Sequence, residues 1–193
     1  MITHLTIRPE TPEDYIAITR VNDLAFGRPA EGKLVENLRK LEEFDPRLSL
    51  VAELEGEIIG HIMLFPVQII SRSPGKESSK MAHGIDSGVK EKAHSCLSLG
   101  PIAVLPDCQK RGVGGQLIET GHRIAVELGF TSIILLGHPT YYPRFGYQPA
   151  DQWGLTNPWK ITGEPWMATE LVEGSLSGKA GLVVFPEVFN EAT

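Results

Sequence analysis

GPIAVLPDCQKRGVGGQLIETG, Gly100 to Gly121, passes from an apolar stretch through a glycine-rich turn bearing Lys110 and Arg111 into the start of an amphipathic helix. A strand that feeds such a turn aims unpaired backbone N–H groups outward at the positive end of the helix dipole, which suits an anion. Gly112, Gly114 and Gly115 let a ligand approach with no Cβ in the way, and the two cations suit phosphate. Taken alone, the glycines fit equally well a turn that only lets strand and helix pack closely. Two common phosphate motifs fit poorly. A P-loop needs Lys and then Ser or Thr after its second glycine, and a dinucleotide fingerprint needs a third glycine where Leu117 stands.

Working outward, Val113, Leu117, Ile118, Ile124, Ala125 and Leu128 recur at helical spacing until Gly129, which predicts a helix from Gly112 onward. FTSIILLG then predicts a buried strand, Pro139 to Phe145 a short turn or helix, and the stretches near Trp166–Glu173 and Gly181–Phe185 further strands. Upstream, CLSLGPIAVL is a strand, and SLVAELEGEIIGHIMLFPVQII reads as a hairpin around Glu55-Gly56. Near the start, LTIRPE alternates like a short strand. Thr11-Pro12-Glu13-Asp14 opens a helix expected over Pro12–Leu24, and Leu34, Leu38 and Leu41 predict a second over Ala30–Glu42. Ser71 to Ser95 is rich in Ser, Gly, Lys and Glu and reads as a polar loop insertion. This order implies an α/β (α+β) fold, a mixed sheet with helices on its faces.

At 193 residues the chain fits one domain with a substantial core. A net charge of -6 argues against a general binder of nucleic acid or acidic membrane, so any positive site is local. No apolar run reaches the roughly 18 residues of a membrane span, and MITHLTIRPE does not read as a signal peptide; a cytoplasmic protein is expected. Cys96 and Cys108 form neither a disulfide framework nor a zinc spacing, and the scattered histidines do not make a metal site.

Gln109-Lys110-Arg111-Gly112-Val113-Gly114 resembles the Q/R-x-x-G-x-G/A motif of the GNAT superfamily of N-acetyltransferases. LGPIAVLPDC is similar to the strand feeding that motif, and YYPRFGY, Tyr141 to Tyr147, to the family's tyrosine, three residues, glycine-aromatic pattern. LGHPTYYPRFGYQPA looks closest to a bacterial branch of predicted acetyltransferases. The resemblance implies a single GNAT-like domain over residues 1–193, with about six to seven strands and about four helices. It also implies an acetyl-coenzyme A (acetyl-CoA) site. The backbone of Ile102, Ala103 and Val104 would pair with the pantetheine arm, and the amides of Gln109, Lys110, Arg111, Gly112, Val113, Gly114 and Gly115 would hold the pyrophosphate.

By the same pattern Tyr142, four residues before Gly146 and beside Tyr141, is the general acid, and a backbone N–H at Val104 the oxyanion donor. A bulge is expected at Gly100-Pro101. Ser98 stands where many relatives carry a glutamate base, leaving Glu53, His61 or a water chain as alternatives, with His94 and His138 weaker. Many relatives also carry an asparagine after the following strand, and Gly137-His138-Pro139-Thr140 has none. The acceptor pocket is expected from the Asn22–Gly32 turn and the C-terminal strands, with Phe26, Arg28, Trp153, Trp159 and Trp166 as candidates. The implied activity moves acetyl to a primary amine of a small molecule, peptide or protein by direct attack on the thioester. A non-catalytic acyl-CoA sensor is the alternative. The C-terminal strands either complete a homodimer or close the monomer's own sheet.

Overall fold

The N-terminal strands form an antiparallel ladder that is apolar on both faces, each face packed against different helices. In this computed structural model, which describes residues 4–73 and 90–191, β1 (Leu5–Pro9) pairs with β2 (Ser49–Leu54), and β2 with β3 (Glu57–Ser73). The Glu55-Gly56 turn expected from the sequence joins β2 to β3; both residues are left-handed, with φ of 52° and 83°, matching the twist of the strands. β4 (Lys90–Val104) continues the antiparallel order, and β5 (Ser132–Leu136) then joins β4 in parallel.

Side chains alternate across the sheet. Leu50, Ala52, Ile62 and Leu64 face the apolar stripe of α3 (Val113–Glu127), whereas Val51, Met63, Phe65 and Ala103 face α1 (Tyr15–Phe26) and α2 (Ala30–Leu38). Each fully buried aliphatic or aromatic side chain contributes about 1.5–3 kcal/mol. A third cluster around Trp166, Ile69 and Val183 packs the far end. There β8 (Trp166–Glu170) pairs with β5 and with β6 (Gln148–Pro149), while β9 (Gly181–Val184) pairs with β3 and with β7 (Leu155–Thr156). The C-terminal strands thus close onto the chain's own sheet.

The fold class agrees with the sequence reading, and several boundaries differ. Among the described residues the sheet has nine strands and three α-helices. The surplus strands include the two-residue β6 and β7, and the expected fourth helix is only a 3-10 turn at Tyr142–Phe145. Pro12–Asp14 is also a 3-10 turn, its start held where the Asp14 carboxylate accepts from the Thr11 N–H and hydroxyl at 2.8 and 3.1 Å; α1 itself begins at Tyr15 and runs to Phe26. α2 stops at Leu38 rather than Glu42, because the chain tightens into turns with Lys40 N–H on Asn37 O and Leu41 N–H on Leu38 O. The insertion expected over 71–95 is narrower: β3 extends to Ser73 and β4 begins at Lys90, a ribbon held by backbone pairing that needs no apolar pattern. The rest of that insertion lies outside the described residues.

A polar clamp ties the two front helices to the sheet. Glu10 accepts two hydrogen bonds from Arg39, at 2.7 and 2.9 Å, and one from Ser49 at 2.6 Å. Ser49 Oγ in turn meets His61 Nε2 at 2.9 Å, and His61 Nδ1 meets Asn22 on α1 at 3.2 Å. These groups are buried, and the hydrogen bonds among them are what make them tolerable in the core, with Asn22 Oδ1 left as the one atom of the clamp without a partner among the described residues.

Candidate active site

β4 and β5 part company at the centre of the molecule. They pair only at Leu97–Ile133 and Ser98–Ile134, after which β4 continues alone toward Val104. On its other edge Leu64 pairs with Leu99 but Ile62 with Ile102, so β4 carries one extra residue at Gly100-Pro101, the bulge position anticipated from the sequence. Leu105 N–H donates to Ile59 O at 2.9 Å. Because N–H directions alternate along a strand, the N–H groups of Val104 and Ile102 point away from β3 into the split. The Val104 carbonyl on that side accepts from the Gln109 side chain at 3.0 Å, which ties the strand to the turn beyond it.

That turn delivers the N-terminus of α3 to the mouth of the split. Lys110 and Gly112 are both left-handed, φ 58° and 89°, and for Gly112 only glycine adopts this without strain. Gln116 N–H bonds Gly112 O at 3.1 Å, leaving the amides of Val113, Gly114 and Gly115 with no partner inside the helix. Gly114 meets a different constraint: a Cβ there would lie 2.7 Å from the Tyr141 hydroxyl.

One cavity of about 1230 Å³ runs from this turn along the split to the front helices. It exceeds the roughly 300–1,000 Å³ of a typical site for one small ligand. Ile102, Val104, Gln109, Lys110, Gly112, Val113, Gly114, Gly115 and Tyr142 all border it. Ala103 and Arg111 do not: the Ala103 side chain is packed against α1 and α2, and Arg111 is exposed outside the cavity wall. Arg144 also lines the cavity, its guanidinium 4.7 Å from the centre of the Tyr141 ring. Open amides, a lysine at one end and an unpaired strand edge along the length fit a ligand with a phosphate group and an amide-bearing arm.

The two tyrosines separate in role. Tyr141 reaches the turn at Gly114, whereas the Tyr142 ring seats against Gly137, where a Cβ would meet it at 2.2 Å, and crosses Tyr147 at a centroid distance of 5.6 Å. Burial, with a smaller contribution from Tyr141, pushes the Tyr142 phenol well above its ordinary value, so it keeps its proton across the physiological range. Tyr147 is fixed from behind by His122, Nε2 to hydroxyl 2.9 Å.

Among the candidate bases, Glu53 is engaged with Arg8 at 2.8 Å, and His61 is fully buried in the clamp; neither borders the cavity. Burial drives the His61 pKa down, with Glu10 opposing, so it stands as a neutral core residue. His94 pairs with Ser71 at 3.0 Å on the β3–β4 ribbon. Ser98 and His138 both line the cavity, Ser98 nearly buried and His138 exposed. At the front end, Phe26 and Trp159 border the cavity, whereas Arg28 does not line it and pairs with Glu31, and Trp153 and Trp166 belong to the third core cluster, where Trp166 Nε1 donates to Leu155 O at 3.0 Å. Glu31, Phe185 and Phe189 also form the wall and were not singled out by the sequence. Among the described residues no group of three or more His, Cys, Asp or Glu could hold a metal, and no helix is long and apolar enough to cross a membrane.

Comparison with known proteins agrees with this geometry. The model of the acetyltransferase (GNAT) family matches residues 17–147. The chain is 34% identical over 174 residues to an uncharacterized N-acetyltransferase of Escherichia coli K12, YjhQ, covering 88% of this chain and 86% of that protein. It is 30% identical to a second from the same strain, YhbS, covering 96% and 99%. The crystal structure of E. coli YhbS in complex with CoA superposes with a TM-score of 0.79 at 29% identity, covering 96% of this chain and 92% of that one. A GNAT family acetyltransferase of Brucella melitensis in complex with acetyl-CoA gives 0.69, also at 29% identity, covering 96% and 98%. The chain belongs to the GNAT family of acetyltransferases, whose acetyl donor is acetyl-CoA, and is an N-acetyltransferase.

Proposed function

We propose that this protein transfers the acetyl group of acetyl-CoA to a primary amine of a small molecule, peptide or protein by direct attack of the amine on the thioester. The observation that carries the reading is the coincidence, in one cavity, of the open α3 amides, the β4 edge freed from β5, and Tyr142. Gly112, Val113, Gly114 and Gly115, with Lys110, would hold the pyrophosphate, and the outward N–H group of Ile102 would pair with the pantetheine arm. Acetyl-CoA, when bound, supplies an acyl group activated as a thioester.

The protein's contribution is positional and electrostatic. The Val104 N–H, in a groove held open by the Gly100-Pro101 bulge, donates to the negative charge that develops on the carbonyl oxygen. Tyr142, protonated and fixed against Gly137, donates to the departing sulfur. Ser98 offers no carboxylate on β4, so the amine's proton leaves by another route.

Tyr142→Phe tests this reading. Turnover should fall about 10²-fold or more while acetyl-CoA affinity changes little. Unchanged turnover would remove Tyr142 from the chemistry. Tight acetyl-CoA binding by the unaltered protein with no turnover on any amine would favour the sensor.

A further inference from the structure

Outside the phosphate turn and the split, the same cavity ends in a chamber with a distinct chemistry. Its wall includes Phe26 from the end of α1, Trp159, and Phe185 and Phe189 from the C-terminal segment. The rings support one another: Trp159 and Phe185 lie 4.8 Å apart between centroids, Phe185 and Phe189 5.3 Å, and Trp159 Nε1 is fixed on Asn190 at 3.0 Å. Phe26 remains 43% exposed, a large apolar ring left at the cavity's edge. In this aromatic wall stands one carboxylate, Glu31, in the first turn of α2 and only 6% exposed.

Glu31 is the single carboxylate among the described residues that line the cavity. Arg28 holds it from one side, Nε to the two oxygens at 3.1 and 3.2 Å and Nη2 to Oε1. A carboxylate has about four acceptor positions, so this pairing orients Glu31 and leaves acceptor capacity in hand. The Arg28 side chain is 56% exposed, which screens its charge more than that of the buried carboxylate. A buried, oriented anion in the same cavity wall as a cluster of aromatic rings inclined to one another at 48° and 64° recognises a cation whose body is flat and apolar: the carboxylate takes the ammonium, and the rings take the body and part of the charge.

Resting on the acetyltransferase reading above, we propose that Glu31, Phe26, Trp159 and Phe185 form the acceptor subsite, and that the acceptor is a cationic primary amine carried on an aromatic body. Glu31 acts here as a specificity determinant that binds the ammonium form on entry; the ammonium gives its proton to solvent, and the neutral amine then attacks, forming the C–N bond as the thioester C–S bond breaks and the thiolate takes a proton from Tyr142.

The probes are 2-phenylethylamine and tryptamine, with butylamine as the aliphatic control and L-phenylalanine as the zwitterion. Thiol release is followed as amine and acetyl-CoA are varied in turn, with acetyl-CoA binding measured separately by calorimetry. The two arylalkylamines should show the highest kcat/KM. Glu31→Gln should raise their KM at least about tenfold with little change in kcat or in acetyl-CoA affinity. Phe26→Ala, a change at an exposed ring that leaves the core intact, should raise the KM for tryptamine more than that for butylamine. The proposal is overturned if Glu31→Gln leaves the amine KM unchanged, if butylamine matches the aromatic amines, or if L-phenylalanine is preferred, which would assign the chamber to a zwitterion. Loss of acetyl-CoA binding in the unaltered protein is a separate result and strikes the acetyltransferase reading instead.

Discussion

Replacing Arg39 with Met interrogates the clamp that seats the front helices, and with them the chamber around Glu31. The Arg39 and Glu10 side chains are 7% and 1% exposed and share two short hydrogen bonds, while the Arg39 guanidinium lies 3.9 Å from the centre of the Tyr15 ring. Removing the guanidinium leaves the Glu10 carboxylate buried without its countercharge, at a cost of about 3–5 kcal/mol. That is a large share of the roughly 5–15 kcal/mol by which domains are stable. The charge state of Glu10 gives a second handle. Burial pushes its carboxyl up, but the contacts of His61, Arg39 and Ser49 outweigh burial and bring it down to about 2 from an ordinary 4.5. A depressed carboxyl contributes stability above its unfolded pKa, and that contribution is lost as pH falls from about 4.5 toward 2. Urea denaturation followed by circular dichroism, at neutral pH and in steps down to pH 3, should show the loss for Arg39→Met and a flatter acid limb. Adding Glu10→Gln to that variant should restore much of the stability, since the orphaned charge is gone. A loss under about 1 kcal/mol, or no recovery in the double variant, would refute the argument.

Gly137→Ala should abolish most turnover with the α3 turn still able to hold acetyl-CoA, because its Cβ would lie 2.2 Å from the Tyr142 ring and must displace it; full activity would mean that the ring's seat is irrelevant to the chemistry. His122 is held down to about 4 by burial, so it stays neutral while the unfolded chain takes up a proton below about 6.5. Stability should therefore decline, by up to about 3 kcal/mol, as pH falls from about 6.5 to 4. His122→Gln should remove that part of the slope in denaturation curves across the same window. Gly181→Ala should cost several kcal/mol in thermal or urea denaturation, since its Cβ would lie 2.2 Å from the Ile70 carbonyl oxygen and would force β9 off β3.

The glycine-rich turn was legible because its backbone requirements are local. Gly112 must be left-handed, and the helical stripe beginning at Val113 is printed in consecutive residues, whereas the room Gly114 leaves beside Tyr141 shows only in the fold. The hairpin at Glu55-Gly56 and the alternation that splits Leu50 from Val51 were readable for the same reason. Glu31 was not. On the sequence it is an acid three residues beyond Arg28 near a helix start, a pattern that usually marks a solvated pair, and only the packing of α2 against the C-terminal segment carries it into the cavity. Phe185 and Phe189 arrive there from the opposite end of the chain. His61 shows the reverse case. Its neighbours in sequence left a catalytic role open, whereas its partners Ser49 and Asn22 lie 12 and 39 residues away and close it into the core. The ends of the polar insertion were missed because backbone ladders between Ser71–Ser73 and Lys90–Lys92 form without an apolar pattern to announce them.

The most direct test of the central claim is calorimetric titration of the protein with acetyl-CoA, beside ATP and NAD, and beside a Gly112→Glu, Gly114→Glu variant whose fold is checked by circular dichroism. Two glutamates there would place negative charge, and side chains where none fits freely, on the open amides of α3. Binding of acetyl-CoA by the unaltered protein, absent with ATP and NAD and lost in a folded variant, is the predicted result. No binding, or binding that survives both substitutions undiminished, would contradict the assignment of this turn as the site of the pyrophosphate.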